Sequence, residues 1–403
     1  MSRHVPLYEW AAEVATHFPR LSKPQAYVLA FWSFGIVLAH RCTLPAVANV
    51  LTPLLQQPFN TIRQRLREWY KGASEKAGAH RRELDVTSCF APLLAWILKD
   101  WPCPRVALAL DATTLGDRLV VLSLGLVYRG TAIPVAWKIL PGNQRHAWKT
   151  EWLKLLGWFA DQVAPTWTVI VLTDRGLYAR WLFQAIVALG WHPIMRVTRM
   201  GKFLPEGWTK AREFGWFIPK VGSTWQGRGI AFPRKPERRL ACTLLACWAE
   251  GHEGGWYVLT DLPPEVADAA WYGLRMWIER GFEQFKSMGW HWQKTRIAVP
   301  ERVSRMWLAI ALATFWVVAA GGKRDHDEGS QETTPHLPTI NVRKGHTARP
   351  KAQRLVSVLN QGIAAILARL MKGHALKPKK WYPEPWPELE VISQDQEHDH
   401  NAK

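Results

Sequence analysis

At 403 residues, with 48% hydrophobic and 21% charged side chains, the chain has the apolar content of two or three globular domains, which excludes wholesale disorder. Lys and Arg number 52 against 33 acidic residues, and the net +19 suits a polyanionic partner, because each neutralised phosphate releases counterions. Charge alone does not choose among DNA, RNA and an anionic membrane surface.

Met1 to Arg20 is mixed in polarity, unlike a signal peptide. Two apolar runs, Tyr27 to Ala39 and Met306 to Ala320, fall short of the about 20 residues that span a bilayer and read as buried helices. A cytoplasmic protein without membrane attachment is the expectation. The cysteines, Cys42, Cys89, Cys103, Cys242 and Cys247, form neither a CxxC pair nor a zinc pattern, and their odd number fits a reducing compartment. Most of the 25 Trp are expected to fill cores.

Residues 1–100 read as a helical, basic module and a candidate DNA-binding domain. Apolar positions recur at helical spacing through Ala26 to Leu38, and Thr61 to Lys71 interleaves Arg and Lys with Ile62, Leu66, Trp69 and Tyr70. Lys71 to Arg82, rich in Ser, Gly and Ala, reads as a loop. From residue 101 to 199 the pattern alternates. Val106 to Leu110 is an apolar strand running into Asp111, and Leu119 to Tyr128 and Ile133 to Leu140 form a hairpin across Arg129-Gly130-Thr131. A helix over His146 to Val163 precedes a strand over Trp167 to Leu172, which leads into Asp174-Arg175-Gly176. A helix over Leu177 to Leu189 and a strand over Pro193 to Val197 complete the order of an RNase H-like α/β core.

Residues 200–263, rich in Gly, Pro and Trp with strands over Leu240 to Trp248 and Trp256 to Leu259, read as a β-rich insertion. Residues 264–322 return to helix, over Pro264 to Met288 and Arg302 to Ala320, and 323–403 hold a linker, one helix over Ala352 to Met371 and a basic Pro/Trp tail. His398 and His400 in that tail read as a solvated pair.

Asp111 and Asp174 each follow a buried strand. A carboxylate there is costly unless a charge compensates it, and acids ending neighbouring strands make an oxygen-rich site for Mg²⁺ or Mn²⁺. Either Asp alone could equally cap a turn; Asp117 is a nearby rival that suits the following turn. The helix over 264–288 is more specific. At about 100° per residue, Tyr272, Arg275, Glu279 and Lys286 fall within about 60° of one another, while Trp271, Leu274, Ile278, Phe282 and Phe285 share the sector facing the core. One face buries, and the other offers a carboxylate for an ion and two cations and a hydroxyl for phosphate or sugar. Gly281 weakens this helix, and Glu283 lies near enough to the stripe to compete with Glu279.

The spacing Tyr-x2-Arg-x3-Glu-x6-Lys, with the Asp motifs at 111 and 174 upstream, resembles the signature of DDE transposases of the insertion-sequence-4 group over residues 105–320. The resemblance implies an RNase H-like fold holding two divalent ions on Asp111, Asp174 and Glu279, which selects Glu279 over Glu283. It implies DNA contacts by Tyr272, Arg275 and Lys286, a base-stacking role for Trp256, and a homodimer on paired transposon ends in a bacterial cytoplasm, at nucleoid DNA. The expected activity is cleavage at the ends and transfer of the 3′-hydroxyl into target DNA. A nuclease with the same chemistry, or a transposase-derived DNA-binding protein that no longer cuts, are the other readings.

Overall fold

The computed structural model describes residues 4–76, 82–142, 148–329, 356–374 and 380–389. The expected start of a helix at His146, the end of the loop before Arg82, most of the linker after Gly322 and the His398/His400 pair lie outside these residues.

Five helices open the chain: α1 (Val5–His17), α2 (Lys23–Ala39), α3 (Leu44–Leu55), α4 (Phe59–Trp69) and α5 (Phe90–Leu98). Ser22 and Gln25 close a capping box at the start of α2, and a left-handed His40 ends it. Helix α4 is amphipathic, burying Ile62, Leu66 and Trp69 while Arg63 and Arg67 stay exposed.

The sheet begins with β1 (Arg105–Leu115), β2 (Leu119–Tyr128) and β3 (Thr131–Pro141), an antiparallel meander. Arg129 and Gly130 both take positive φ, 42° and 79°, as a two-residue hairpin turn with the twist of its strands requires. Helix α6 (Lys149–Gly157), β4 (Thr168–Thr173), α7 (Arg180–Ala188) and β5 (His192–Arg196) follow, with β4 parallel to both β1 and β5. The strand order β3-β2-β1-β4-β5 is that of an RNase H-like core.

The insertion holds β6 (Lys202–Pro205), β7 (Arg212–Glu213), α8 (Phe214–Phe217), β8 (Thr224–Ala231), β9 (Leu240–Cys247) and β10 (Trp256–Thr260). It does not form a separate layer. β10 pairs antiparallel with β5, so the insertion strands continue the same ten-stranded sheet in the order β10-β9-β8-β6-β7. Tertiary pairing along an exposed edge has no local sequence signal, and the apolar faces of β9 and β10 serve both readings.

The return to helix differs from the expected single α-helix. Pro263 and Pro264 hold the chain in a turn, a 3₁₀ stretch covers Ala269–Arg275, helix α9 covers Met276–Glu283, and a π turn covers Gln284–Met288. Helix α10 (Pro300–Gly329) is longer than the run read from sequence, because its polar end Lys323 to Asp327 stays helical. By length and hydropathy α10 could cross a membrane, but 89% of its apolar window is buried inside the protein. Trp316 of α10 stacks on Trp10 at 4.5 Å between ring centres, and Trp307 packs on Trp137 of β3 at 6.0 Å. Trp69 Nε1 donates to the Arg305 carbonyl at 3.0 Å. Helix α10 is thus the shared core between the N-terminal helices and the sheet. Helix α11 (Val358–Met371) lies close on it, where a Cβ on Gly362 would meet the Val317 carbonyl oxygen at 1.8 Å.

Candidate active site

The parallel register of β1 and β4 ends at the pair Leu110–Thr173, so Asp111 and Asp174 are the next residues on the two neighbouring strands, where that pairing stops. Asp111 does not follow its strand, as the sequence suggested. β1 runs on to Leu115 through its antiparallel pairing with β2, and Asp111 lies opposite Ser123. One oxygen of each Asp is tied locally: Asp111 Oδ1 accepts from the Ala112 N–H at 2.8 Å, and Asp174 Oδ1 from the Leu177 N–H at 3.0 Å. That leaves Oδ2 of both aspartates to face a common point.

A guanidinium stands at that point. Arg275 Nη2 is 2.9 Å from Asp111 Oδ2 and 3.8 Å from Asp174 Oδ2, while its Nη1 donates to Glu279 Oε1. The 3₁₀ winding puts Tyr272 and Arg275 in line, since side chains three apart eclipse, and the first α-turn then carries Glu279 onto Arg275. Helix α9 crosses the sheet tightly enough that a Cβ on Gly281 would come within 3.1 Å of the Ala132 carbonyl oxygen. The glycine that weakens the helix in isolation is what lets it approach β3. Glu283 is exposed, and the glutamate that shares Arg275 with both aspartates is Glu279.

Lys286, on the π turn, donates to Thr113 Oγ1 at 2.7 Å and so reaches β1 two residues beyond Asp111. Tyr272 is buried, its ring edge-on to Trp256 at 5.2 Å and 5.6 Å from the guanidinium carbon of Arg196. Trp256 is only 4% exposed. A ring sealed in this way packs beneath Tyr272 and presents no open face to a base, which departs from the stacking role carried over from the resemblance. The strand β10 is covered on both faces, a condition the local sequence does not report.

Electrostatics follow from burial. Asp111, with 14% of its side chain exposed, has its pKa raised from 3.8 to about 6, chiefly by desolvation; Arg275 and the Ala112 N–H oppose the rise, and Asp174 and Glu279 add to it. Burial pulls the Arg275 guanidinium down, but Asp111, Tyr272, Glu279 and Asp174 together lift it above its usual value. Burial lowers Lys286, with Asp111 opposing. Burial also raises the Tyr272 phenol, against Arg275 and Arg196. Arg196, at the carboxyl end of β5 beside Tyr272, was not singled out from sequence; a strand cation one position past the acid-bearing strands is its only signal.

Among the described residues no three His, Cys, Asp or Glu close on a common metal point, since Arg275 lies between the acids. The donors nonetheless suit a hard divalent cation: three carboxylates against one guanidinium leave a surplus of two negative charges on oxygen ligands.

Residues 143–316 match a family model described as a transposase DDE domain. The match supports a DDE transposase family. It takes in Asp174, Tyr272, Arg275, Glu279 and Lys286, and begins beyond Asp111. No curated protein matches the chain at a significant level. Among solved structures, a cryo-EM structure of a piggyBac transposase synaptic complex with hairpin DNA is similar over 82% of this chain and 74% of that one, at 12% identity and a TM-score of 0.36.

Proposed function

We propose that this chain is a cut-and-paste DNA transposase that uses Mg²⁺ or Mn²⁺, cleaving at transposon ends and joining the freed 3′-hydroxyl to target DNA. The observation that carries this is the meeting of Asp111, Asp174 and Glu279, from three elements, around one guanidinium where β1 and β4 of an RNase H-like sheet stop pairing. Asp111 and Asp174 would offer their Oδ2 atoms, now paired with Arg275, and Glu279 its carboxylate, as ligands for two ions. When bound, such ions lower the pKa of an attacking water or 3′-hydroxyl and stabilise the leaving oxygen.

The chain's own groups supply the rest. Arg275 holds the acids in register, its Nη1 on Glu279 and its Nη2 on the aspartates, and would offer the same two donors to a phosphate once ions take the acids. Lys286, anchored on Thr113, places a second cation beside the acids. Tyr272 reads as support for Arg275, with Trp256 packed beneath it. Exposed Arg234, Lys235, Arg238 and Arg239 form a cationic loop, which Arg180 Nη1 ties to α7 through the Glu237 carbonyl at 2.9 Å, near the segment after Asp174. Together with the exposed Arg63 and Arg67 of α4 they supply phosphate contacts over a long DNA path. A homodimer assembled on two DNA ends is part of the same proposal.

The test is cleavage of a DNA carrying the element's own ends, with Asp111→Asn, Asp174→Asn and Glu279→Gln compared with wild type. Each substitution should abolish ion-dependent cleavage and leave gel-shift affinity in place. Cleavage surviving in any of the three would overturn the assignment.

A further inference from the structure

The segment Trp381 to Leu389 crosses from the β2–β3 turn to the start of the Tyr272–Arg275 stretch, and its contacts are anchored at both ends. At one end Trp381 is buried, edge-on to Tyr128 at 4.9 Å; the Tyr382 N–H donates to the Tyr128 hydroxyl at 3.1 Å, and Arg129 Nη1 donates to the Tyr382 carbonyl at 2.7 Å. Arg129 is itself paired with buried Asp325 of α10 at 2.5 Å. At the other end Trp386 lies edge-on to Trp271 at 4.8 Å, with the Arg105 guanidinium 4.1 Å above it, and the Leu389 N–H donates to Asp268 Oδ2 at 2.8 Å. The other oxygen of Asp268 caps the 3₁₀ stretch by accepting from the Ala270 N–H at 2.7 Å.

Between the anchors, Pro383, Pro385 and Pro387 alternate with other residues. Each fixes its φ and lacks a donor, which favours an extended, stiff connection and lowers the entropy lost on ordering it. One carboxylate, Asp268, therefore both starts the winding that carries Tyr272 and Arg275 and receives the end of this segment. Trp386 presses on Trp271, the residue before Tyr272.

We infer that residues 381–389 are a strap that positions the Arg275-bearing turn for the reaction, with Trp386 and Asp268 as its positioning residues. The inference rests on the transposase reading of the acids. It takes the strap to act through Trp271 and Asp268 and to touch neither DNA nor the reacting atoms. A displacement of about 1 Å at a reacting group costs on the order of a hundredfold in rate, so loss of a side chain two contacts away is expected to cost about ten- to a hundredfold.

The experiment compares full-length wild type, Trp386→Ala and Trp386→Phe by amide hydrogen exchange, DNA affinity and single-turnover cleavage with Mn²⁺. Trp386→Ala should speed exchange in peptides covering 269–275 while leaving those of β4 unchanged. It should also slow cleavage about tenfold or more at unaltered DNA affinity, and Trp386→Phe should recover most of both. Unchanged exchange at 269–275 overturns the strap, and so does faster exchange with an unchanged cleavage rate. Exchange rising throughout the sheet, with affinity and rate falling together, overturns it in favour of a purely structural role. If wild type does not cleave at all, the transposase reading fails by itself, and exchange at 269–275 still decides whether the strap holds that turn.

Discussion

Replacing Asp111 by Asn should stabilise the ion-free protein while destroying its activity. Asp111 is partly buried beside two other carboxylates, and its pKa stands at about 6 in the folded chain against 3.8 as a free side chain. The folded state thus holds this proton more tightly than the unfolded one, an advantage fully present below pH 3.8 and lost as pH rises through about 6. At 1.36 kcal/mol per pH unit, the ionised carboxylate costs about 3 kcal/mol at pH 7.5 and about 1 kcal/mol at pH 4.5. Its side chain is 14% exposed, so solvent screening removes little of this. Asn keeps the shape without the charge. An unfolding entropy of about 2.1 cal/mol/K per residue gives about 0.8 kcal/mol/K for 403 residues, so the gain is about 3–4 °C in midpoint. The assay is thermal unfolding of both proteins in chelator at pH 7.5 and 4.5. The Asn variant should lead by about 3–4 °C at the higher pH and by about 1 °C at the lower. An Asn variant no more stable than wild type at pH 7.5, or a lead that ignores pH, would refute burial as the source of the shift. Adding Mn²⁺ should then raise the wild-type midpoint, by about 3 °C at a hundredfold excess over Kd, and move the variant little.

Lys286→Met removes the cation that Thr113 anchors; single-turnover cleavage should fall about tenfold to a hundredfold, and the slope of log affinity against log salt should drop by about one, as titrations in KCl would show. Trp316→Ala takes away a ring stacked on Trp10 in the core shared by α1 and α10, and should cost about 3–5 kcal/mol in urea unfolding. Gly362→Ala forces α11 off the Val317 carbonyl, with an expected loss of about 1–3 kcal/mol; unchanged stability would mean that the two helices are not in contact as described.

Much of the core could be read from local pattern. β2, whose residues are all buried, matches a mainly apolar run interrupted by Ser123, and Arg129-Gly130 marks its turn. Asp174 stands at a strand end, as its sequence suggests, whereas Asp111 lies inside β1 and only the parallel register with β4 stops just before it. Their shared partner was less legible. Arg275 was read as a DNA contact from its place on a helical stripe, but its burial against three carboxylates depends on residues 164 and 101 positions away, which no local periodicity carries. The 3₁₀ and π windings that flank α9 escaped for a related reason. Asp268 caps the first and the Thr131 hydroxyl of β3 donates to Gln284 at the second, contacts from outside a sequence that is itself compatible with an α-helix throughout. Trp256 illustrates the limit most directly, because a strand Trp looks the same whether its outer face meets solvent or a tyrosine.

The placement of α10 has a consequence for how the chain can be made and dissected. Trp10 and Trp69 complete their surroundings only with Trp316 and Arg305, the latter 236 residues further along the chain than Trp69. During synthesis the first five helices must therefore wait, with aromatic faces uncovered, until residue 320 or so has left the ribosome. A fragment ending near residue 100 would carry the same uncovered faces permanently and is a poor vehicle for studying DNA recognition. Limited proteolysis should likewise release no stable N-terminal piece, because a cut after α5 severs a covalent link while the two halves stay bound through one helix.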